Sequence, residues 1–262
     1  MANILVFGTV LYDHIGDQYY IGGCHTNVAA HCARLGMDTT MVSCVGADAI
    51  GAHAKSWLEA AGVRSEYLLV DPSHPTGTVE VDISDPENPK YTVVDDVAYD
   101  HISLETEALR ALAKRRFDYM YFGTFEQKYS QNVETLNAIL RDVQVSRRFC
   151  DINLRENRYT KEIVESSMRA ADILKVNEEE FALLKTWLLE GDCDDSAAAE
   201  KLRGAYDIEI IIVTRSGRGA SAYWADGQAD VPAVPVNVVD SVGAGDAFAA
   251  AFINALARSG DI

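Results

Sequence analysis

Two glycine-rich segments hold the residues best suited to chemistry. One is Asp240-Ser-Val-Gly-Ala-Gly-Asp246, followed by the run Ala-Phe-Ala-Ala-Ala-Phe252. Asp240 and Ser241 are turn and cap formers, Gly243 and Gly245 free the backbone, and the Ala/Phe-rich run predicts a helix. Amides at a helix start lack intrahelical partners and sit at the positive end of the dipole, so they form a hole for an anion. Asp246 lies at that same start. A lone Asp there is an ordinary first-turn complement to the dipole. Beside an anion nest, however, a carboxylate is placed to accept a proton from a hydroxyl, and phosphoryl transfer requires that pairing.

The other segment is Gly22-Gly-Cys-His-Thr-Asn27-Val-Ala-Ala-His-Cys-Ala-Arg-Leu-Gly36. A double glycine opens a helix with Asn27 in its first turn, and Arg-Leu-Gly gives a C-cap. Taken alone this is a tight turn and a helix. Cys24, His25, His31 and Cys32 cluster here, but their spacing fits no zinc motif, and His31 and Cys32 are neighbours that point apart on a helix. A loose G-x-G-x-x-A at Gly217-Arg-Gly-Ala-Ser-Ala222 fails its context test, because Ser221-Ala-Tyr-Trp continues as a strand. No G-x-x-x-x-G-K-[ST] is present, which excludes a P-loop enzyme.

These segments need elements to position them. Continuous apolar runs at 4–8, 39–45, 117–122, 148–152, 173–176 and 208–213 predict buried strands. Helical patterns fall between them at 27–35, 49–61, 104–113, 132–141, 178–189 and 196–202. That alternation implies an α/β fold with a mainly parallel sheet covered on both faces, whose ligands bind at the carboxyl ends of the strands. Two segments break the rhythm. Residues 12–22 are polar and aromatic, and residues 76–100 hold two alternating runs joined by Asp-Pro-Glu-Asn-Pro-Lys. They read as a small β flap, an antiparallel hairpin over the sheet edge, within one domain spanning 1–262. Tyr19, Tyr20, Tyr91 and Tyr99 in this flap read mostly as packing residues.

Composition narrows the function classes. The 262 residues include 23 Lys+Arg against 40 Asp+Glu, a formal net charge of −17. That charge argues against nucleic acid and against anionic membranes as partners. No apolar run approaches the ~18 residues of a membrane span. The start, Met-Ala-Asn-Ile-Leu-Val-Phe, has no basic region of a signal peptide. Five scattered cysteines read as reduced thiols, so the expectation is a soluble cytoplasmic protein.

Together the two glycine-rich segments resemble the signature regions of the ribokinase-like (PfkB) sugar kinases. Gly22, Gly23, Asn27, Ala29, Arg34, Leu35 and Gly36 match GG-x-x-x-N-x-A-x-x-x-x-RLG, and Asp240, Gly243, Ala244, Gly245, Asp246 and Phe248 match D-x-x-GAGD-x-F. Val45, Gly46, Asp48 and Gly51 are similar to VG-x-D-x-x-G, Ala61-Gly-Val63 to AGV, and Asn177 with Glu180 to N-x-x-E. Val213 and Thr214 with Gly219 and Ala220 resemble the nucleotide loop, which here has Ser216 at a position the family usually gives to glycine. Asp151-Ile-Asn-Leu-Arg155 is closest to the D-x-N-x-R of fructokinases and 2-keto-3-deoxygluconate kinases.

The resemblance implies a three-layer αβα sandwich with a β-sheet lid and an ATP-dependent sugar kinase acting on fructose or a related ketose. Other acceptors stay open: ribose, 2-keto-3-deoxygluconate, a fructosamine-type sugar or a nucleoside, as does a nucleotide-binding homologue without turnover. Asp246 is then the base, with the amides around Gly243, Ala244 and Gly245 on the transferring phosphoryl. Asp13, Gly22, Gly23, Asn27 and Arg155 are expected to hold the sugar. Lys175, Asn177, Thr214, Arg215, Gly217 and Gly219 are expected on the nucleotide. Asn177 and Glu180 would organise Mg²⁺ through water, and Asp240 would help bind a monovalent cation, K⁺. With a whole-chain charge of −17, local cations must offset repulsion of ATP, and Arg155, Lys175, Arg215 and Arg218 at predicted strand ends are the candidates. Relatives generally continue some tens of residues past the GAGD helix, whereas this sequence ends at Ile262. The family also implies a homodimer clasped through its lids.

Overall fold

The computed structural model describes residues 1–15, 17–82, 90–155, 157–237 and 242–259. The chain opens with β1 (Asn3–Phe7), a hairpin of β2 (Leu11–Ile15) and β3 (Gln18–Gly22), and helix α1 (Cys24–Arg34). β4 (Asp38–Gly46), α2 (Ala49–Ala60) and β5 (Val63–Asp71) form a crossover, and β6 (Gly77–Asp82) and β7 (Lys90–Val93) a second hairpin. There follow α3 (Thr106–Ala113), β8 (Arg116–Gly123), α4 (Ser130–Asp142), β9 (Gln144–Asp151), α5 (Lys161–Arg169), β10 (Ile173–Asn177), α6 (Glu178–Leu188) and α7 (Asp195–Tyr206). β11 (Ile210–Thr214), β12 (Ala220–Trp224), β13 (Gly227–Val231) and α8 (Ala244–Ser259) close the order.

Among the described residues the large sheet has nine strands in the order β13-β12-β11-β10-β9-β8-β1-β4-β5. The seven from β11 to β5 pair in parallel, and β12 and β13 add antiparallel at one edge. Apolar runs are continuous because both faces are covered. Ile4 and Val6 face a core built with α1, α2 and α8, through Val28, Leu58 and Ile253. Leu5 and Phe7 face the opposite core with α3 to α7, through Leu112, Ile139, Met168, Leu184 and Leu202. Each such fully buried side chain contributes about 1.5–3 kcal/mol. The expected three layers are present. No helix among the described residues is long and apolar enough to cross a membrane.

The flap is a separate four-stranded sheet, β3-β2-β6-β7. β6 and β7 are antiparallel as the alternation implies, but β2 and β6 join in parallel, so the flap is a mixed sheet. The predicted second strand ends early, at Val93, and Ala98–His101 form a short 3₁₀ turn. The reason is Arg158, buried beneath it, whose guanidinium bonds Asp100 (2.6 Å) and Asp95 (2.7 Å) and packs 4.7 Å over the Phe125 ring. Tyr99 is fully buried, as a packing residue should be, whereas Tyr19 and Tyr20 are about half exposed. Of the turn read at 85–90, residues 85–89 lie outside the described residues, and Lys90 begins β7.

Asp48 fastens the flap to the large sheet. Its carboxylate caps α2 through the Gly51 N–H (2.7 Å) and accepts from the Thr76 N–H (2.8 Å) and hydroxyl (2.7 Å). The V-G-x-D-x-x-G landmark is therefore a hinge fitting. Three elements went unread in the sequence: β5, α5 and β13, an edge strand whose residues are all exposed. β5 is an edge strand with only Val63, Tyr67 and Leu68 buried, so polar residues interrupt its apolar signal. α5 is mostly polar, with Val164, Ser167 and Met168 its buried residues, and Thr160 caps it through the Ile163 N–H.

Candidate active site

Parallel strands bring their carboxyl ends, and the starts of the following helices, to one edge. There Asp246 sits in the first turn of α8, whose first helical bond runs from the Ala247 N–H to the Gly243 carbonyl at 2.9 Å. Asn27, in the first turn of α1, donates its side-chain amide to Asp246 Oδ2 at 2.8 Å. Residues 219 positions apart thus meet because α1 and α8 pack side by side, with Val28, Ala29, Ala249 and Ala250 buried between them. Burial pushes the Asp246 carboxyl up; the Asn27 bond and the charge of Lys175 counter this, and Asp151 adds to it. A raised but partly compensated carboxylate is a base suited to a sugar hydroxyl. Asp240, and the monovalent-cation role expected of it, lies outside the described residues.

Lys175, in the middle of β10, lies beneath this turn. A side chain at Gly245 would come within 3.5 Å of its Nζ, so the ammonium lies against the α8 loop. Burial alone would lower its pKa, but Asp151 Oδ2 at 2.8 Å more than compensates, and the group is held charged. Asp151 also accepts from the Tyr121 hydroxyl at 3.0 Å. The site floor is therefore a buried cation at the mouth of an anion-binding helix start. A prediction follows from the direction of these shifts. Replacing Lys175 by Gln keeps a donor to Asp151 but removes a charge that lowers the Asp246 pKa. The acid limb of kcat/KM should move to higher pH, measured by pH-rate profiles, and an unmoved limb would show that Lys175 does not tune the base.

In the lid sheet, Asp13 of β2 faces Gly22 of β3. A Cβ at Gly22 would lie 2.8 Å from Asp13 Oδ2, so the carboxylate occupies the room that glycine leaves. Burial raises the Asp13 pKa, and among the described residues nothing hydrogen-bonds its side chain. Gly23 follows with φ 93, the left-handed region that favours glycine, and its carbonyl accepts the Asn27 N–H at 2.9 Å. Asp13, Gly22, Gly23 and Asn27 are thus brought into one continuous wall.

The N-x-x-E pair is a capping box for α6. Asn177 Oδ1 accepts the Glu180 N–H and Glu180 Oε2 accepts the Asn177 N–H, both at 2.8 Å. The other Glu180 oxygen takes the Leu154 N–H at 2.8 Å, which anchors the loop after β9. In that loop Asn153 has φ 44, a conformation asparagine tolerates, and exposed Arg155 bonds, among the described residues, the neighbouring Leu154 carbonyl alone. Each Glu180 oxygen keeps a second lone pair beyond its amide partner, so the carboxylate can still accept from the water shell of a cation.

The nucleotide loop departs more from expectation. Thr214 ends β11 with its hydroxyl on the Val176 carbonyl, but Arg215 turns to Asp195 (2.8 Å) and Ser221, and Arg218 pairs with Glu178. Neither arginine joins the Asp246 cluster. Gly217 lies at the exposed tip, and Gly219, just before β12, lets the chain pass close to the end of β13. Ser216 adopts φ 48, so this chain keeps the left-handed backbone despite losing the glycine.

His25 entered the sequence reading only as a dismissed zinc candidate, and Glu126 not at all. The Thr9 N–H donates to His25 Nδ1 at 3.2 Å, which leaves the ring proton on Nε2, 3.6 Å from Glu126 Oε2 in a fully buried pair. The available signal was Gly8, at the end of β1, where a Cβ would lie 2.2 Å from the imidazole.

Comparison with known proteins identifies the family. The chain matches the model of pfkB family carbohydrate kinases over residues 1–262. It is 28% identical over 246 residues to a fructokinase of Escherichia coli, covering 91% of this chain and 78% of that one. It is 25% identical over 254 residues to 5-dehydro-2-deoxygluconokinase 1 of Bacillus cereus, covering 93% and 75%. An uncharacterized sugar kinase from Pyrococcus horikoshii, solved in complex with ATP, superposes with a TM-score of 0.77 at 25% identity, over 95% of this chain and 83% of that one. The chain belongs to the pfkB family of carbohydrate kinases, and it is a phosphotransferase.

Proposed function

We propose that this kinase transfers the γ-phosphoryl group of ATP to a primary hydroxyl of fructose or a related ketose. The observation that carries the reading is the Asn27–Asp246 contact at the start of α8, above the buried Lys175 ammonium. Asp246 takes the hydroxyl proton as the oxygen attacks. The free amides of α8 and the Lys175 charge stabilise the equatorial oxygens of the transferring group. Asp13 accepts from sugar hydroxyls, which its unpartnered carboxylate suits. The β-sheet lid excludes water, which suppresses hydrolysis of ATP. Mg²⁺ enters with ATP as part of the substrate, and Asn177 and Glu180 hold its water shell.

A sugar acid is the second reading, because Arg155 is exposed with, among the described residues, only a backbone carbonyl for a partner, and fits a carboxylate. A coupled ADP-release assay over fructose, ribose, 2-keto-3-deoxygluconate, fructosamine-type sugars and nucleosides separates these. Turnover on the ketose supports the first reading and turnover confined to the acid supports the second. ATP binding with no turnover on any acceptor removes both.

The lid also suggests an assembly. β3 is the edge of the lid sheet and carries Tyr19 and Tyr20, 47% and 54% exposed. We propose that two chains clasp through these edges. Subunits of charge −17 repel, so salt should tighten the dimer by screening. Sedimentation that shows a monomer at every micromolar concentration, at low and moderate salt, would remove the clasp.

A further inference from the structure

Outside the catalytic edge, two histidines and an aspartate meet at the base of the lid. His74 lies just before β6, and Asp96 and His101 lie just after β7. They therefore come from the chain entering the lid hairpin and the chain leaving it. One ligand atom from each falls within 4.8 Å of the other two.

The hydrogen bonding around His74 sets its tautomer. Nδ1 donates to Asp71 Oδ2 at 2.7 Å, which places the lone pair on Nε2. That Nε2 lies 3.7 Å from Asp96 Oδ1. His101 Nε2 reaches the same Asp96 oxygen at 2.9 Å. The Asp96 backbone is held in turn, at φ 60, by its N–H on the Tyr129 hydroxyl at 3.2 Å.

We infer that His74, Asp96 and His101 bind one divalent transition-metal ion of the zinc type and so cross-link the two arms of the lid. Imidazole nitrogens select such ions over Mg²⁺ or Ca²⁺, so the ion brought by ATP does not compete. Metal–ligand bonds of about 2.0–2.2 Å in tetrahedral geometry need ligand atoms about 3.3–3.6 Å apart. The 2.9 and 3.7 Å separations here bracket that range. Asp71 supplies the outer carboxylate that orients a metal-bound histidine. The two rings are stacked, with centroids 3.8 Å apart and planes at 16°, so their lone pairs do not yet converge. Asp71 fixes His74, and so His101 is the ring that turns, moving its proton from Nε2 to Nδ1. Water fills the fourth position, since Asp96 is 70% exposed.

Calorimetric titration of metal-free full-length chain with zinc chloride, without ATP or sugar, tests this. The expected result is saturation at one equivalent. His74→Gln and His101→Gln should each weaken binding by tenfold or more, and Asp71→Asn, which removes no ligand, by about 10–100-fold. Co²⁺ should give visible absorption bands of tetrahedral intensity in wild type and not in His101→Gln. Kinase activity of His101→Gln without zinc should equal wild type, which shows the variant is folded. Absence of saturable zinc binding, or zinc affinity unchanged in both histidine variants, would overturn the site.

Discussion

Asp246→Asn is expected to lower kcat by about two to four orders of magnitude, the range set by loss of a general base, without destabilising the fold. Asn keeps an oxygen for the Asn27 amide, so the 2.8 Å contact survives and only the proton acceptor is lost. The sign of the stability change follows from the raised pKa. A carboxyl pushed up by burial binds protons more readily folded than unfolded, so stability falls as pH rises through the window above its ordinary value of 3.8. At neutral pH the ionised carboxylate is a cost that Asn removes, and Tm should stay level or rise. That gain should shrink as pH is lowered and Asp246 becomes protonated in both states. Coupled kinetics and thermal melts across pH measure both halves. A variant within tenfold of wild-type kcat would show that the base lies elsewhere. A collapse in Tm would show that Asp246 is a packing residue.

How much of this was legible in the sequence depends on where each signal resides. The α8 start was legible because its chemistry is local: glycines, a helix and a carboxylate lie within seven residues. Parallel strands such as β1 and β11 were legible because burial on both faces makes them continuously apolar. β5 and α5 were not, since an edge strand and a peripheral helix bury few residues and their periodicity is diluted. Residue type also misleads where one motif has two uses. Asn177 and Glu180 match a metal-organising pair, yet their spacing is that of a capping box, and the structure uses it as one. Arg215 and Arg218 were read as free cations from charge arithmetic. Arithmetic cannot reveal that Asp195 and Glu178 sit within reach in space. Ser216 shows the reverse: the residue changed and the left-handed backbone did not. His25 and Glu126 are single residues without a pattern, so only the fold could pair them.

Asp13→Ala should act on the sugar and spare the nucleotide. The Asp13 carboxylate is partly buried, pushed up by that burial, and has no hydrogen-bond partner among the described residues. A carboxylate held this way carries unfavourable energy that a ligand with hydroxyl donors relieves. Each hydrogen bond to a charged group is worth about 1.5–3 kcal/mol, so losing one should raise the sugar KM about 10- to 150-fold. Two neighbouring hydroxyls would lose more. ATP affinity, measured by calorimetry without sugar, should be unchanged, because the nucleotide segments lie on β10 and β11, across the sheet from the lid. Stability should not fall, since the substitution removes a half-desolvated charge. Gly22→Ala provides a second route to the same result. Its Cβ would lie 2.8 Å from Asp13 Oδ2 and displace the carboxylate while leaving it in the chain. If Asp13 clamps the sugar, both variants raise the sugar KM and neither changes ATP binding. If ATP binding weakens in step with the sugar, Asp13 holds the lid's shape instead, and the clamp is wrong.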